Sequence, residues 1–450
     1  MSELLAETRR ALRHRLATGQ VQGRAPSVVA AIVRDGGPVW LESWGRDTGG
    51  DVQYRIGSIS KTFVTVLVLQ LHAESLIGLA DPLGAHLPGT LADGARIRDL
   101  LAHTAGLVSE SPGPWWERTE GTLRPELTDV LGSAPREDRG FHYSNPGFAL
   151  LGALVEKLRG ASFGDVLRQR ILEPLGMNRT TLLPVAPHAL GWAVHPWADV
   201  LQPEPLTDTG RMAPAGQIWS TAEDLSRYAQ FLMHGDDRVL DAESISLMRT
   251  PASAPDVTSW HSSYGLGMEL RNREGRLLSG HTGSMPGFVA TVWTSPGDDV
   301  AAVVLANTTA GLRVGSLAAE LLDIVADREP RIPAPWEPLE SIVPELLALA
   351  GPWYWGPAAH LLKPRADGWL ELTSVSGAVE GRLRPTGDDQ WVGVGGYHDG
   401  EDVRAVRDEA GAVTHLDFGT FVYTRQPYDP AAVIPGGVLS PWSTKSSLRR

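Results

Sequence analysis

Ser58 and Lys61 stand three residues apart in Ser58-Ile59-Ser60-Lys61, at the head of the run Phe63, Val64, Val66, Leu67, Val68, Leu69 and Leu71. The apolar residues of that run fall on every face of a helix, so the spacing predicts a helix buried all round. Residues i and i+3 share a helix face, so the Lys61 amine can reach the Ser58 hydroxyl. Burial disfavours an ammonium and pushes lysine toward the neutral form that acts as a base. A serine hydroxyl becomes a competent nucleophile when such a base takes its proton. Gly57 before Ser58 suits a helix start, where backbone N–H groups favour developing negative charge. The plain alternative is that Ser58 caps the helix and Lys61 extends its amine to water at the helix end.

Two further groups follow in order. Tyr143-Ser144-Asn145 opens an apolar helical stretch from Phe148 to Leu158, and His281-Thr282-Gly283-Ser284 lies at the end of a strand-like run. S-x-x-K, Y-x-N and H-T-G in this order resemble the serine beta-lactamase and penicillin-binding-protein superfamily, in its class C beta-lactamase-like branch. The segments Arg98 to Leu107 and Pro214 to Leu225 extend the resemblance over most of residues 10–325. Both read as scaffold, with Thr104 and Thr221 as turn or cap residues, Asp224 in a first helical turn and His103 as a hydrogen-bonded structural histidine. His281 occupies the place of a lysine common in lactamases, which points away from beta-lactam hydrolysis and toward the esterases and peptidases of the branch.

The resemblance implies that Ser58 attacks a carbonyl, that Lys61 takes its proton, and that Tyr143 or Lys61 returns one to the leaving group. Protonated His281 and Lys61 would favour a Tyr143 phenolate. Asn145 would hold Lys61 or a substrate amide. The backbone N–H groups of Ser58 and Ser284 would form the oxyanion hole, with Gly283 in support. Trp219, beside Ser220-Thr221, and the loop pair Trp115-Trp116 suit a bulky apolar acyl donor. Thr282, within the third motif, completes this expected substrate side. Neither cofactor nor metal is expected. Among relatives, the chain resembles the penicillin-binding-protein-type thioesterases that release and cyclise nonribosomal peptides, acting on a free or carrier-protein-bound peptidyl thioester or ester. A D-amino-acid-directed peptidase, amidase or esterase is the second enzymatic reading. A non-catalytic binding module is the alternative of another class.

The elements that must position these groups are legible in outline. Ser27 to Arg34 and Val39 to Trp44 read as a hairpin about Asp35-Gly36-Gly37-Pro38. Strand-like runs at 276–281, 288–294 and 299–306 precede a helix near 312–326. Strands early and late with helices between suggest one antiparallel sheet covered by helices, an α/β (α+β) arrangement. The resemblance implies an alpha/beta/alpha sandwich over residues 1–327. Prolines 330, 333, 335, 338 and 344 mark a semi-rigid linker, 328–345. Beyond it, short alternating runs at 368–372, 390–394, 402–406 and 413–425 suggest a small lipocalin-like β-barrel over 346–450. Arg425 ends the last run, solvated or turned toward the substrate as a planar donor fork.

A formal net charge of −13 across 450 residues gives no basic footprint for nucleic acid. No cysteine is present, so disulfides and thiolate metal sites are excluded. No stretch approaches a membrane span, and Met1 to Thr18 lacks the continuous apolar core of a secretion signal. A cytoplasmic enzyme is the expectation.

Overall fold

The computed structural model describes residues 4–46, 48–123, 127–254, 261–333, 335–419 and 421–428. The chain divides into two units, Met1–Ile332 and Pro333–Arg450.

In the first unit a helix, α1 (Ala6–Gly23), leads into β1 (Ser27–Arg34) and β2 (Gly37–Gly45). The turn between the strands uses Asp35 and Gly36 at positive φ, which glycine tolerates at no steric cost. The short strands β3 (Tyr54–Arg55) and β4 (Trp219–Ser220) pair with each other apart from the main sheet. The main sheet is completed by β5 (Ser262–Tyr264), β6 (Glu269–Arg273), β7 (Arg276–Met285), β8 (Phe288–Ser295) and β9 (Val300–Ala306). Its order is β2-β1-β9-β8-β7-β6-β5, antiparallel between neighbours.

Helices cover both faces, which is why β1, β8 and β9 are nearly continuous apolar runs rather than alternating ones. Val28, Ala30 and Ile32 pack under α1 and α5 (Val314–Arg328), with Leu12, Leu16, Leu317 and Leu321. Val29, Ala31 and Val33 face the larger core. It is built by α2 (Ser60–Ala73), α3 (Asn145–Arg159) and α4 (Ala222–His234). Every residue of α2 from Ser60 to Leu71 is buried, as the all-round apolar pattern predicts. The result is the expected beta-lactamase-like sandwich with an antiparallel sheet.

The second unit is a closed eight-stranded barrel, β10 (Gly351–Trp355) to β17 (Phe421–Thr424), each strand paired with the next. Tyr354 pairs with Thr424 to close it. Trp353, Leu362, Leu370, Leu372, Trp391, Leu416 and Phe418 fill the interior. Strands at 351–355, 358–364 and 379–387 were not anticipated from sequence, because Trp353 aside they present mostly half-buried or exposed side chains. Between Arg328 and Pro344 the described residues form no strand or helix, and Pro344–Leu347 is a short helix. No helix of the described residues is long and apolar enough to cross a membrane.

Candidate active site

Ser58 lies in a 3-10 turn, Gly57–Ile59, immediately before α2 rather than on its first turn. The turn brings the hydroxyl to a partly exposed position while Lys61, in the first turn of α2, has no exposed surface. The Lys61 amine donates to Ser58 Oγ at 2.9 Å and to the Ala215 carbonyl at 2.8 Å. It also lies 4.9 Å from the centroid of the Tyr143 ring. The alternative of a lysine extended to water is thereby excluded. Burial lowers its pKa from 10.5 to about 7, against the opposing pull of Glu110, Glu117 and Glu269. A proton acceptor for Ser58 is therefore available near neutrality.

Tyr143 hydrogen-bonds Ser58 through its side chain, and its ring lies against His103 with centroids 4.3 Å apart. Burial pushes the phenol well above its ordinary range, outweighing the Ser58 hydrogen bond, and the Glu269 and Glu110 carboxylates push the same way. This corrects the expected phenolate: Tyr143 keeps its proton. His281 is corrected in parallel, since burial lowers its pKa and Lys61 opposes its charge, with Glu269 as the counterweight. The imidazole is neutral because desolvation is the larger effect.

Asn145 begins α3, capped by the Ser144 hydroxyl that accepts from Gly147 N. Its amide does not hold Lys61. Asn145 Nδ2 donates to Glu110 Oε1 at 2.8 Å, and Trp116 Nε1 donates to Glu110 Oε2 at 2.7 Å. Glu110 was missed from sequence because a carboxylate in a Ser/Pro-rich loop carries no local signal. Trp116 is buried, whereas Trp115 is exposed and stacks on Arg118 at 4.6 Å.

The end of β7 meets the Ser58 turn edge-on. A Cβ at Gly283 would lie 1.9 Å from the Ile56 carbonyl oxygen and 3.1 Å from Ser58 N; one at Gly57 would lie 2.5 Å from Ser284 N. Only glycines allow this approach, which brings the backbones of Ser58 and Ser284 together. Thr282 departs from its expected role: its hydroxyl donates to Glu269 at 2.7 Å and its methyl faces Gly315 of α5. Trp219 is also corrected. It is 1% exposed, pairs through its backbone with Arg55, and packs edge-on against Phe288, 5.0 Å between ring centroids. A tryptophan there fills core volume and offers nothing to a substrate.

Arg425, following β17, lies over the Trp353 ring at 4.0 Å and donates to the carbonyls of Ala348, Ala350 and Pro352. Its donor fork is spent on the barrel's own backbone, so the substrate contact expected of it gives way to a structural one. Among the described residues no cluster of His, Asp or Glu could hold a metal ion.

Comparison with known proteins fixes the class to which this site belongs. Residues 8–327 match the family described as Beta-lactamase, and residues 342–425 match a domain of unknown function, DUF7586. The chain belongs to the beta-lactamase family, and its fold is that of a serine acyl-transfer hydrolase of the penicillin-binding-protein superfamily. Penicillin-binding protein 4 of Amycolatopsis lactamdurans is 30% identical over 325 residues, covering 67% of this chain and 84% of that protein. A D-stereospecific amidohydrolase from Streptomyces sp. superposes with a TM-score of 0.59 at 25% identity, over 69% of this chain and 97% of that one. SurE superposes with a TM-score of 0.59 at 23% identity, over 93% of this chain and 99% of that one, a likeness of fold.

Proposed function

We propose that the protein transfers an acyl group through an ester on Ser58, from a donor ending in a D-residue. The observation that carries this is the 2.9 Å contact between Ser58 Oγ and a fully buried Lys61 whose pKa is about 7. Neutral Lys61 takes the Ser58 proton as Oγ attacks the donor carbonyl. The tetrahedral oxyanion is stabilised by the Ser58 and Ser284 N–H groups, and Tyr143, which holds its proton, passes it to the leaving amine, thiol or alkoxide. Lys61 then reprotonates Tyr143. In the second half water or an amine attacks the ester, and Ser58 recovers its proton.

Hydrolysis by a D-residue-directed amidase or peptidase is the first reading, supported by the D-stereospecific amidohydrolase among the similar structures. Release and macrocyclisation of a nonribosomal peptide from a peptidyl thioester is the second. It is supported by His281 standing in the third motif where a lysine is common in lactamases.

Intact-mass spectrometry of the protein with a fluorophosphonate, a D-phenylalanine amide or a peptidyl thioester ending in a D-residue tests the nucleophile. Wild type gains an adduct and Ser58→Ala gains none; equal labelling of both refutes the assignment. Product analysis with the thioester then separates the readings, linear acid for a hydrolase and cyclic peptide for a cyclase.

A further inference from the structure

Three buried aromatic groups behind the site form a hydrogen-bonded line whose direction is fixed at one end by the backbone. The Ser144 amide N–H donates to His103 Nδ1 at 3.0 Å. A backbone amide can only donate, so Nδ1 of His103 is bare and the proton of its neutral ring sits on Nε2. That nitrogen is 3.2 Å from the Tyr264 hydroxyl, which accepts there. The Tyr264 proton is then directed to His281 Nε2 at 3.0 Å. His281 is left with its own proton on Nδ1, facing the Thr282 carbonyl at 2.5 Å and Glu269 Oε1 at 3.4 Å. His103, Tyr264 and His281 are each at most 2% exposed, so water cannot substitute for any of these contacts.

We propose that Tyr264 and His103 are positioning residues that lock His281 as its Nδ1–H tautomer and through it fix the backbone of β7 that carries Ser284. This rests on the acyl-transfer reading only for its kinetic consequence. With Nε2 occupied by Tyr264, His281 has no free lone pair for Ser58 or Tyr143, so it is not the base. Held at both nitrogens, the ring cannot rotate. The chain from His281 to Ser284 then has one register against the Gly57–Ser58 turn, where the glycine contacts leave no slack. Neither His103 nor Tyr264 touches the reacting atoms. Each acts through the residue it holds.

Nuclear magnetic resonance of the full chain labelled with 15N-histidine reads the tautomers directly, with the thirteen histidines resolved by subtracting the spectra of His281→Gln and His103→Gln. At pH 7.5 wild type is expected to show His281 protonated on Nδ1 and bare on Nε2, with the reverse for His103. Tyr264→Phe removes the donor to Nε2, so that nitrogen becomes a free lone pair and its 15N resonance moves downfield, while Nδ1 keeps its proton on the Thr282 carbonyl. kcat for a small activated ester falls about ten- to hundredfold, on the scale of a misplaced reacting group, with KM little changed. A wild-type His281 that is protonated on Nε2 or doubly protonated overturns the proposal, as does a Tyr264→Phe protein with the Nε2 resonance and kcat of wild type. The wild-type spectrum decides even where that variant does not fold. Because it needs no turnover, it also separates failure of this inference from failure of the acyl-transfer reading.

Discussion

Replacing Lys61 by methionine should remove activity and raise stability together. Methionine matches the length of the lysine stem and carries no charge to desolvate. The fall of the Lys61 pKa from 10.5 to about 7 corresponds to about 5 kcal/mol of preference against the buried ammonium. Against this, the variant leaves the Ala215 carbonyl without its donor, at a cost of about 1 to 3 kcal/mol. The net gain at pH 7 is therefore about 2 to 4 kcal/mol, a rise in melting temperature of about 3 to 6 °C for a unit of this size. The pH dependence follows from the sign of the shift. Between about pH 7 and 10.5 the unfolded lysine binds a proton that the folded one does not, so wild-type stability rises with pH. The advantage of Lys61→Met is thus fully present at and below pH 7 and shrinks as pH climbs toward 10.5. Calorimetry of both proteins from pH 6 to 9.5, with intact-mass labelling by a fluorophosphonate, measures both effects. A variant less stable than wild type at pH 7, or a stability difference that does not narrow with pH, would refute the burial argument.

The pH profile of acylation by a small ester should rise with a midpoint near 7 as Lys61 deprotonates, and should not descend through the range where an ordinary phenol ionises at about 10, because Tyr143 is held protonated. A descending limb there in stopped-flow data would show that the phenol titrates normally. Gly283→Ala puts a Cβ 1.9 Å from the Ile56 carbonyl, so it should abolish labelling of Ser58, whereas the same substitution at exposed Gly297, where a Cβ meets nothing and the backbone is not left-handed, should leave labelling intact. Arg425→Ala should destabilise the barrel by about 2 to 3 kcal/mol through loss of charged hydrogen bonds and of the Trp353 contact, seen by denaturant unfolding. Its kcat/KM on peptide and small-ester substrates should stay at the wild-type level, and a selective loss on peptides would restore Arg425 to the substrate.

The sequence by itself determined what is local or periodic. An apolar run on all helix faces with one lysine in it can only be a buried helix carrying a buried amine, so the Ser58–Lys61 pair and the burial of α2 were readable from spacing. Apolar runs at 27–34, 288–294 and 299–306 had to be strands covered on both faces, since no half-exposed strand could carry them. Motif order linked Tyr143 and His281 to the same site before any fold was known.

Protonation and partner choice, by contrast, were decided by tertiary structure, because both depend on what lies within a few ångströms in space. Desolvation from surrounding elements keeps Tyr143 protonated and His281 neutral, reversing the charges that sequence neighbours suggest. Asn145 turned to Glu110, which carries no signature of its own, and Lys61 to the carbonyl of Ala215, in a segment that read only as scaffold; these partners are 35 and 154 residues away. Trp219 and Arg425 looked like substrate contacts because aromatic and guanidinium groups serve there often. Packing against Phe288 and three barrel carbonyls used both groups up. Tyr264 stands in a run without any motif, and only the sheet, by laying β5 beside β6 and β6 beside β7, brings its hydroxyl to His281.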